Sequence, residues 1–130
     1  MKLRIKGNSL RLRLLRHEVA QLVETGRVTE TIQFGLTPAE ELTYLLEAQS
    51  DAHTISAHFA GNKISVVIPV SMARDWAESE MVTLKNEQLI ENGSLENNLS
   101  ILIEKDFVCL ERENDPDNTN AFPHPTGKCG

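Results

Sequence analysis

At 130 residues and 40% hydrophobic content, the chain is long enough to bury one core without disulfides or a structural metal. Its 13 Lys and Arg against 19 Asp and Glu give a formal net charge of −6, which argues against non-specific nucleic-acid binding over the whole surface. No run approaches the ~18 apolar residues of a membrane span, and no signal-peptide block opens the chain. We therefore expect a cytoplasmic protein with no membrane partner.

The charge is unevenly distributed along the chain. Residues 1–16 carry six Lys or Arg and no acid, whereas residues 17–130 carry the other seven cations and all nineteen acids. The formal net charge is therefore +6 for residues 1–16 and −12 for residues 17–130. This distribution permits one basic face on an acidic protein.

The opening stretch, MKLRIKGNSLRLRL, alternates apolar and basic residues about a Gly-Asn pair, which predicts a hairpin with a two-residue turn. In that register one face is apolar, and on the other Arg4 faces Arg11 and Lys2 faces Arg13. Like charges directly opposite each other oppose pairing by up to ~1 kcal/mol each. Water and salt, acidic side chains of a neighbouring strand, or an anionic partner could offset the repulsion. The candidate residues for binding an anion or nucleic acid are Lys2, Arg4, Lys6, Arg11 and Arg13.

Three segments follow the opening hairpin. Residues 17–25 have apolar positions at helical spacing and are followed by Gly26, which predicts a helix with a glycine C-cap. Residues 27–34 alternate like a strand, with Glu30 on the apolar side. Residues 37–48 open with the capping-box composition TPAE but then alternate like a strand, so helix and strand both stay open.

Residues 53–70 predict a second hairpin, because two alternating runs flank Gly61-Asn62. Pro69 should end its ladder, since proline has no N–H to donate. The expected register pairs Phe59 with Ile64, Ala57 with Val66, Ile55 with Ile68, and His58 with Ser65.

The last part of the chain predicts one more helix and two or three strands. Ser71 can cap a helix over 72–79, in which Trp76 is interpreted as a packing residue. A short strand is expected at 82–85, a turn at Asn92-Gly93, and one central strand or two at 99–112. Residues 113–130, rich in Asn, Asp and Pro, predict a tail that is extended or packs through Phe122.

Together these elements predict an α+β fold. It consists of an antiparallel twisted sheet or partly open barrel of about seven or eight strands, built from hairpins, with two short helices. We expect one domain over residues 1–112, followed by the tail.

No cofactor or catalytic motif is indicated. Cys109, His124 and Cys129 are the candidate zinc ligands, but they lack the close pairs that structural zinc sites use. The histidines lie in no recognised motif, and the glycines stand alone at element ends instead of forming a phosphate loop. We expect no cofactor, and a non-catalytic protein.

The segment IKGNSLRLRL, followed by HEVAQLVETG and RVTETIQF, resembles the swapped-hairpin DNA-binding domains of the AbrB and MazE antitoxin type. This resemblance covers about residues 3–34 and implies a dimer whose interleaved strands present basic side chains to DNA. It implies that Asn8, Ser9 and Arg13 lie at the DNA-facing turn and strand. Over most of its length the chain also resembles a family of small uncharacterised bacterial proteins, through MKLRIKGNSLRLRL, EVAQLVETGRV, DWAESEMV and LSILIEKDFVCL.

These observations favour a small, non-catalytic binding or interaction module whose partner the sequence does not identify. A homodimer is a candidate assembly. The alternative hypothesis is a DNA-binding transcription regulator or antitoxin-like protein that uses the basic hairpin.

Overall fold

The computed structural model describes residues 1–90 and 98–107. Within those residues the fold is α+β, as predicted. The elements are β1 Lys2–Ile5, β2 Ser9–Leu14, α1 Arg16–Thr25, β3 Arg27–Gln33, β4 Glu41–Gln49, β5 Ser56–Ala60, β6 Lys63–Pro69, α2 Val70–Glu78, β7 Thr83–Leu89 and β8 Asn98–Lys105.

The strands form two four-stranded mixed sheets, and neither closes into a barrel. Sheet A has the order β1-β2-β8-β7, and sheet B has the order β3-β4-β6-β5. In each sheet the central pair, β2–β8 or β4–β6, is parallel and the outer pairs are antiparallel. The arrangement therefore differs from the single antiparallel sheet expected, because local alternation does not show which distant strand completes a hairpin.

Both predicted hairpins are present. β1–β2 pairs Ile5 with Leu10 and places Arg4 opposite Arg11, and β5–β6 pairs Phe59 with Ile64. Each turn begins with a glycine in the left-handed region, with φ 55° in the first hairpin and 57° in the second. Glycine adopts this conformation without steric cost, and a two-residue turn requires it.

The chain consists of two halves with the same order of elements: hairpin, helix, hairpin. The first half runs from β1 to β4 and the second from β5 to β8. The halves exchange hairpins, because β2 of the first half lies beside β8 of the second, and β6 lies beside β4. The hydrogen bonds repeat as well: the Ser100 N–H donates to the Asn8 carbonyl at 3.1 Å, and the Thr43 N–H donates to the Asn62 carbonyl at 3.0 Å. The fold is thus an internal duplication with approximate two-fold symmetry.

The core lies between the two sheets and the helices, and it follows the same symmetry. Leu22 of α1 and Trp76 of α2 occupy equivalent positions 54 residues apart, and both are fully buried. The Trp76 Nε1–H donates to the Val82 carbonyl at 2.9 Å, which satisfies the one polar group of the indole. The interpretation of Trp76 as a packing residue is confirmed.

In the first half of the chain, the observed element boundaries agree closely with those predicted from the sequence. Helix α1 ends at Gly26, whose φ is 84°. At the start of the helix, where the sequence offers no good N-cap residue, the Glu18 carboxylate accepts the Leu15 N–H at 2.9 Å. Residues 37–48 resolve into a 3-10 turn, Pro38–Glu40, followed by strand β4.

Two boundaries differ in the second half. Helix α2 begins at Val70, directly after β6, and not after Ser71, because Pro69 supplies the extended residue that precedes the first turn. Strand β7 is also longer than the segment expected at 82–85. The turn at Asn92-Gly93, the continuation of 99–112 beyond Phe107 and the tail with Phe122 lie outside the described residues.

Candidate anion-binding face

The predicted cations lie in the first hairpin, on the side of sheet A that faces away from the core. Leu10, Leu12 and Leu14 of β2 are buried, so the alternating residues Arg11 and Arg13 point outward. Lys2 and Arg4 do the same on β1, and Lys6 follows in the turn. We call the outer surface of sheet A the basic face. Its strand residues are Lys2, Arg4, Ser9, Arg11, Arg13, Thr83, Lys85, Glu87, Leu89, Asn98, Ser100, Leu102 and Glu104.

Acidic side chains of the same chain cover part of the basic face. The parallel pairing of β2 with β8 places Arg13 opposite Glu104. One oxygen of the Glu104 carboxylate lies 3.1 Å from Nε of Arg11 and 3.4 Å from Nε of Arg13. Lys2 pairs with Asp106 at 3.1 Å. A neighbouring strand therefore offsets part of the repulsion between the facing cations.

The basic face keeps a net positive charge despite these pairs. Its strand residues include five cations (Lys2, Arg4, Arg11, Arg13 and Lys85) and two carboxylates (Glu87 and Glu104), a net charge of +3. The outer face of sheet B carries two cations (Arg27 and Lys63) and two carboxylates (Glu41 and Glu47), a net charge of zero. One of two equivalent surfaces is therefore basic on a chain of net charge −6.

The equivalent hairpin shows that this fold does not require cations at these positions. In β5–β6 the outward pairs are His58 opposite Ser65 and Ser56 opposite Val67, where β1–β2 has Arg4 opposite Arg11 and Lys2 opposite Arg13. The inward pairs are apolar in both hairpins. The two hairpins thus share the apolar pattern that buries one face and differ in the outward charge.

Sequence reasoning missed the residues that other strands contribute to this face. Glu104 and Lys85 lie far from the first hairpin in the sequence, and they join it only because β8 pairs with β2. The alternation of buried Ile101 and Ile103 with Leu102 and Glu104 does indicate which side chains point outward. It does not indicate which strand will lie alongside.

A second charged cluster surrounds the amino group of Met1, a residue that is 7% exposed. The ammonium group donates to Glu18 Oε2 and, at 3.1 Å, to Glu30 Oε2, and Tyr44 donates its hydroxyl to the Met1 carbonyl at 3.0 Å. This cluster explains the carboxylate on the apolar side of β3. The equivalent residue in the second half, Asn86, donates to the Ile55 carbonyl at 2.7 Å.

Charge pairing inside this cluster shifts three pKa values. Desolvation lowers the pKa of the Met1 amino group, but hydrogen bonds and the charges of Glu18 and Glu30 outweigh it and raise that pKa above 8.0. Desolvation raises the pKa of Glu18, but the ammonium group and the Leu15 N–H together lower it below 4.5. Burial, with the charges of Glu30 and Glu18, raises the pKa of Tyr44. The pair is therefore ionised across the neutral pH range.

A cavity of about 740 Å³ lies between α1, the end of α2 and the end of β8. Leu14, Val19 and Val23 form its apolar wall, and Arg16 and Lys105 lie among its charged residues. Lys105 already donates to the Ser79 carbonyl at 2.7 Å and lies 5.8 Å from the Trp76 ring centroid. The charges around this cavity are mixed and do not select a ligand.

The other candidate chemistry is not assembled where the structure describes it. Residues 1–90 and 98–107 contain no group of three His, Cys, Asp or Glu side chains that could hold a metal ion. Cys109, His124 and Cys129 lie outside those residues, so their zinc hypothesis stays untested. His58 faces Ser65 on the outer surface of sheet B, as predicted, and its Nε2 lies 3.2 Å from the Ser56 hydroxyl.

The described helices are all too short or too polar to cross a bilayer. Comparison of the chain with curated proteins found no match, and comparison with solved structures found none either. A protein-family model, described as Family of unknown function (DUF7009), matches residues 1–126. That match covers nearly the whole chain, so the protein belongs to DUF7009, a family of unknown function.

Proposed function

We propose that this protein is a non-catalytic binding module and that the basic face is the surface by which it holds an anionic partner. The observation that carries the proposal is the difference between the two hairpins. The fold builds the same hairpin twice, with four cations outward on the strands of the first and one, Lys63, outward on the strands of the second. Folding does not require these cations, and placing like charges opposite each other on neighbouring strands costs free energy. A binding role therefore accounts for their presence.

Duplex DNA is the anionic partner that we propose for this face. Four of the five strand cations lie on two neighbouring strands, and three of those four are arginines, which suit phosphate oxygens because the guanidinium group presents several donors. The swapped-hairpin resemblance of residues 3–34 supports the same partner, and it stays a prediction. Each sheet combines a hairpin of the first half of the chain with a hairpin of the second half.

Glu104 would compete with phosphate for Arg11 and Arg13. Its carboxylate lies between the two guanidinium groups, and all three side chains are half-buried. A phosphate that binds either arginine must displace this carboxylate or share the arginine with it. Glu104→Gln removes the competing charge and keeps a side chain of the same size, so we expect it to raise affinity for DNA.

The test measures binding of a fluorescent mixed-sequence duplex by anisotropy between about 50 mM and about 200 mM salt. We expect a steep loss of affinity with salt. Arg4→His with Arg11→Ser gives two positions of the first hairpin the residues of the second, and it should reduce the slope of log K against log salt by about 2. The matched control, Lys63→Ser with Arg74→Ser, removes two exposed cations away from the basic face and should change binding little.

Three outcomes would contradict the DNA proposal. These are no binding at the lowest salt, equal loss in the test and control variants, and no gain in affinity from Glu104→Gln. Binding of an unstructured polyanion as tightly as the duplex would retain the anion-binding face and reject DNA as its specific partner. We also propose a bacterial origin, a cytoplasmic location, which cell fractionation tests, and a domain at 1–112 with a tail, which limited proteolysis tests.

A further inference from the structure

Strand β1 is an edge strand of sheet A, and part of its backbone faces away from β2. The Lys6 N–H donates to the Ser9 carbonyl at 3.3 Å, so these two residues form a hydrogen-bonded pair beside the turn. Hydrogen-bonded and non-hydrogen-bonded pairs alternate along an antiparallel ladder. The N–H and C=O groups of Leu3 and Ile5 therefore point away from β2, along the outer edge of the sheet.

In the second half of the chain, a side chain closes the equivalent edge. Ala57 of β5 is the counterpart of Leu3. Its N–H donates to Oε1 of Gln88 at 2.7 Å, and its carbonyl accepts from Nε2 of the same side chain at 3.0 Å. The Gln88 amide thus makes both hydrogen bonds that a neighbouring strand would make at this position.

The first half has an isoleucine where the second half has this glutamine. The registers of β3 with β4 and of β7 with β8 make Ile32 the counterpart of Gln88. Ile32 has no hydrogen-bonding atom in its side chain, and it is 44% exposed. Within residues 1–90 and 98–107, no side chain makes at Leu3 the pair of bonds that Gln88 makes at Ala57. The edge of β1 is therefore open where the edge of β5 is closed.

We propose that the open edge of β1 binds an extended segment of a partner protein, in which acidic and apolar residues alternate. Backbone groups that face outward at every second residue are complementary to another extended chain, which adds to the sheet as a further strand. Side chains of adjacent strands lie side by side on each face. Strand β1 has Lys2 and Arg4 on one face and Leu3 and Ile5 on the other. Acidic residues beside the cations and apolar residues beside the aliphatic side chains match both faces.

The charge of β1 selects this partner over a second copy of the same strand. Pairing of β1 with β1 of another molecule would place Lys2 and Arg4 beside further cations, and like charges on adjacent strands oppose pairing. The net charge of +3 on the basic face attracts an acidic segment instead. Because the open edge consists of backbone groups, its occupation by a peptide does not depend on binding of duplex DNA by the basic face.

The experiment combines peptide binding with amide hydrogen exchange of the full chain. The probe is a short fluorescent peptide that alternates glutamate and valine, and its binding is measured by anisotropy. In the free protein the amides of Leu3 and Ile5 should exchange fast, and the peptide should slow both. Ile32→Gln gives β3 the residue that closes the second edge. This variant should lower affinity for the peptide about tenfold, because the new amide competes for the Leu3 backbone, and leave affinity for DNA unchanged.

The matched control, Thr29→Gln, places the same residue on the opposite face of β3 and should bind the peptide like the wild type. Both positions are exposed, so both variants should keep the wild-type circular dichroism. A second control is a peptide of the same composition with its glutamates grouped at one end.

Four outcomes would overturn the proposal. Slow exchange at Leu3 and Ile5 in the free protein would mean that another part of the chain, or a second copy, already covers the edge. The others are no binding of the alternating peptide, equal binding of the two peptides, and equal affinity of Ile32→Gln and the wild type.

Discussion

Replacement of Glu18 by glutamine should destabilise the protein more than an ordinary change of one charge. Glu18 is 8% exposed, and its carboxylate holds the buried ammonium group of Met1 on one oxygen and the Leu15 N–H on the other. Glutamine keeps the size of the side chain and an acceptor for the Leu15 N–H. It removes the negative charge, so the ammonium group retains only Glu30 as a charged partner, at 3.1 Å.

The magnitude follows from the cost of leaving a buried charge partly unpaired. Removal of one partner of a buried pair costs about 3–5 kcal/mol, and because Glu30 stays as a second charged partner we expect a cost of about 2–3 kcal/mol. For a domain of this size the loss corresponds to a fall in Tm of about 8–12 °C. The control is Glu47→Gln, because Glu47 pairs with Arg27 at 3.2 Å where the arginine side chain is 56% exposed, and such a pair is worth about 0–1 kcal/mol.

The pH dependence provides an independent check of the same pair. The folded pKa of Glu18 is below 4.5, so its contribution is present above 4.5 and is lost as the pH falls through the folded pKa. The folded pKa of the amino group is above 8.0, so the contribution is present below 8.0 and is lost as the pH rises through that higher value. Urea unfolding of a protein that starts at Met1 should show this window in the wild type and a flatter profile in Glu18→Gln. Equal stability of Glu18→Gln and Glu47→Gln at pH 7 would refute the reasoning.

Three further changes test the packing. Trp76→Ala should cost about 3–5 kcal/mol and its two-fold counterpart Leu22→Ala about 2–5 kcal/mol in urea unfolding, and a cost under 1 kcal/mol at either site would contradict the burial given above. Gln88→Ala should cost about 1–3 kcal/mol and speed amide exchange at Ala57, because Gln88 accepts the Ala57 N–H at 2.7 Å and donates to its carbonyl at 3.0 Å; unchanged exchange would argue against this link between the sheets. Gly61→Ala should cost about 1 kcal/mol through the left-handed φ alone, since an added Cβ meets no atom within 4 Å, and a neutral result would contradict the turn geometry.

The sequence predicts the parts of this fold that short-range chemistry determines. Gly-Asn between alternating runs fixes the register of both hairpins, and Gly26 ends α1 where its left-handed conformation requires glycine. The pairing of β2 with β8 is a contact between residues some ninety positions apart, and alternation within a strand carries no information about it. Without that pairing, the position of Glu104 between Arg11 and Arg13 cannot be predicted.

The repeat of the same elements in the two halves is also not visible in the sequence. Equivalent residues are 54 positions apart in the first hairpin and the helix, but 57 apart between β4 and β8, so no single sequence offset aligns the two halves. The halves share the Gly-Asn turn and apolar side chains that face the core, as Leu12 and Val66 do, and differ at most outward positions. Glu30 was a misfit in the strand pattern because its partner, the Met1 amino group, is distant in sequence.

The two hairpins allow a last prediction that separates stability from binding. Arg4 and Arg11 face each other directly, and this costs up to ~1 kcal/mol, which Glu104 offsets in part through Arg11. Exchange of both arginines for the residues of the second hairpin, Arg4→His with Arg11→Ser, leaves the Arg13–Glu104 pair intact and removes the repulsion. We expect the free energy of unfolding in urea to stay equal or rise by about 0.5–1 kcal/mol, while affinity for duplex DNA falls. A loss of more than about 1 kcal/mol would show that the cations serve the fold, because a surface kept for binding should become more stable when its like charges are removed.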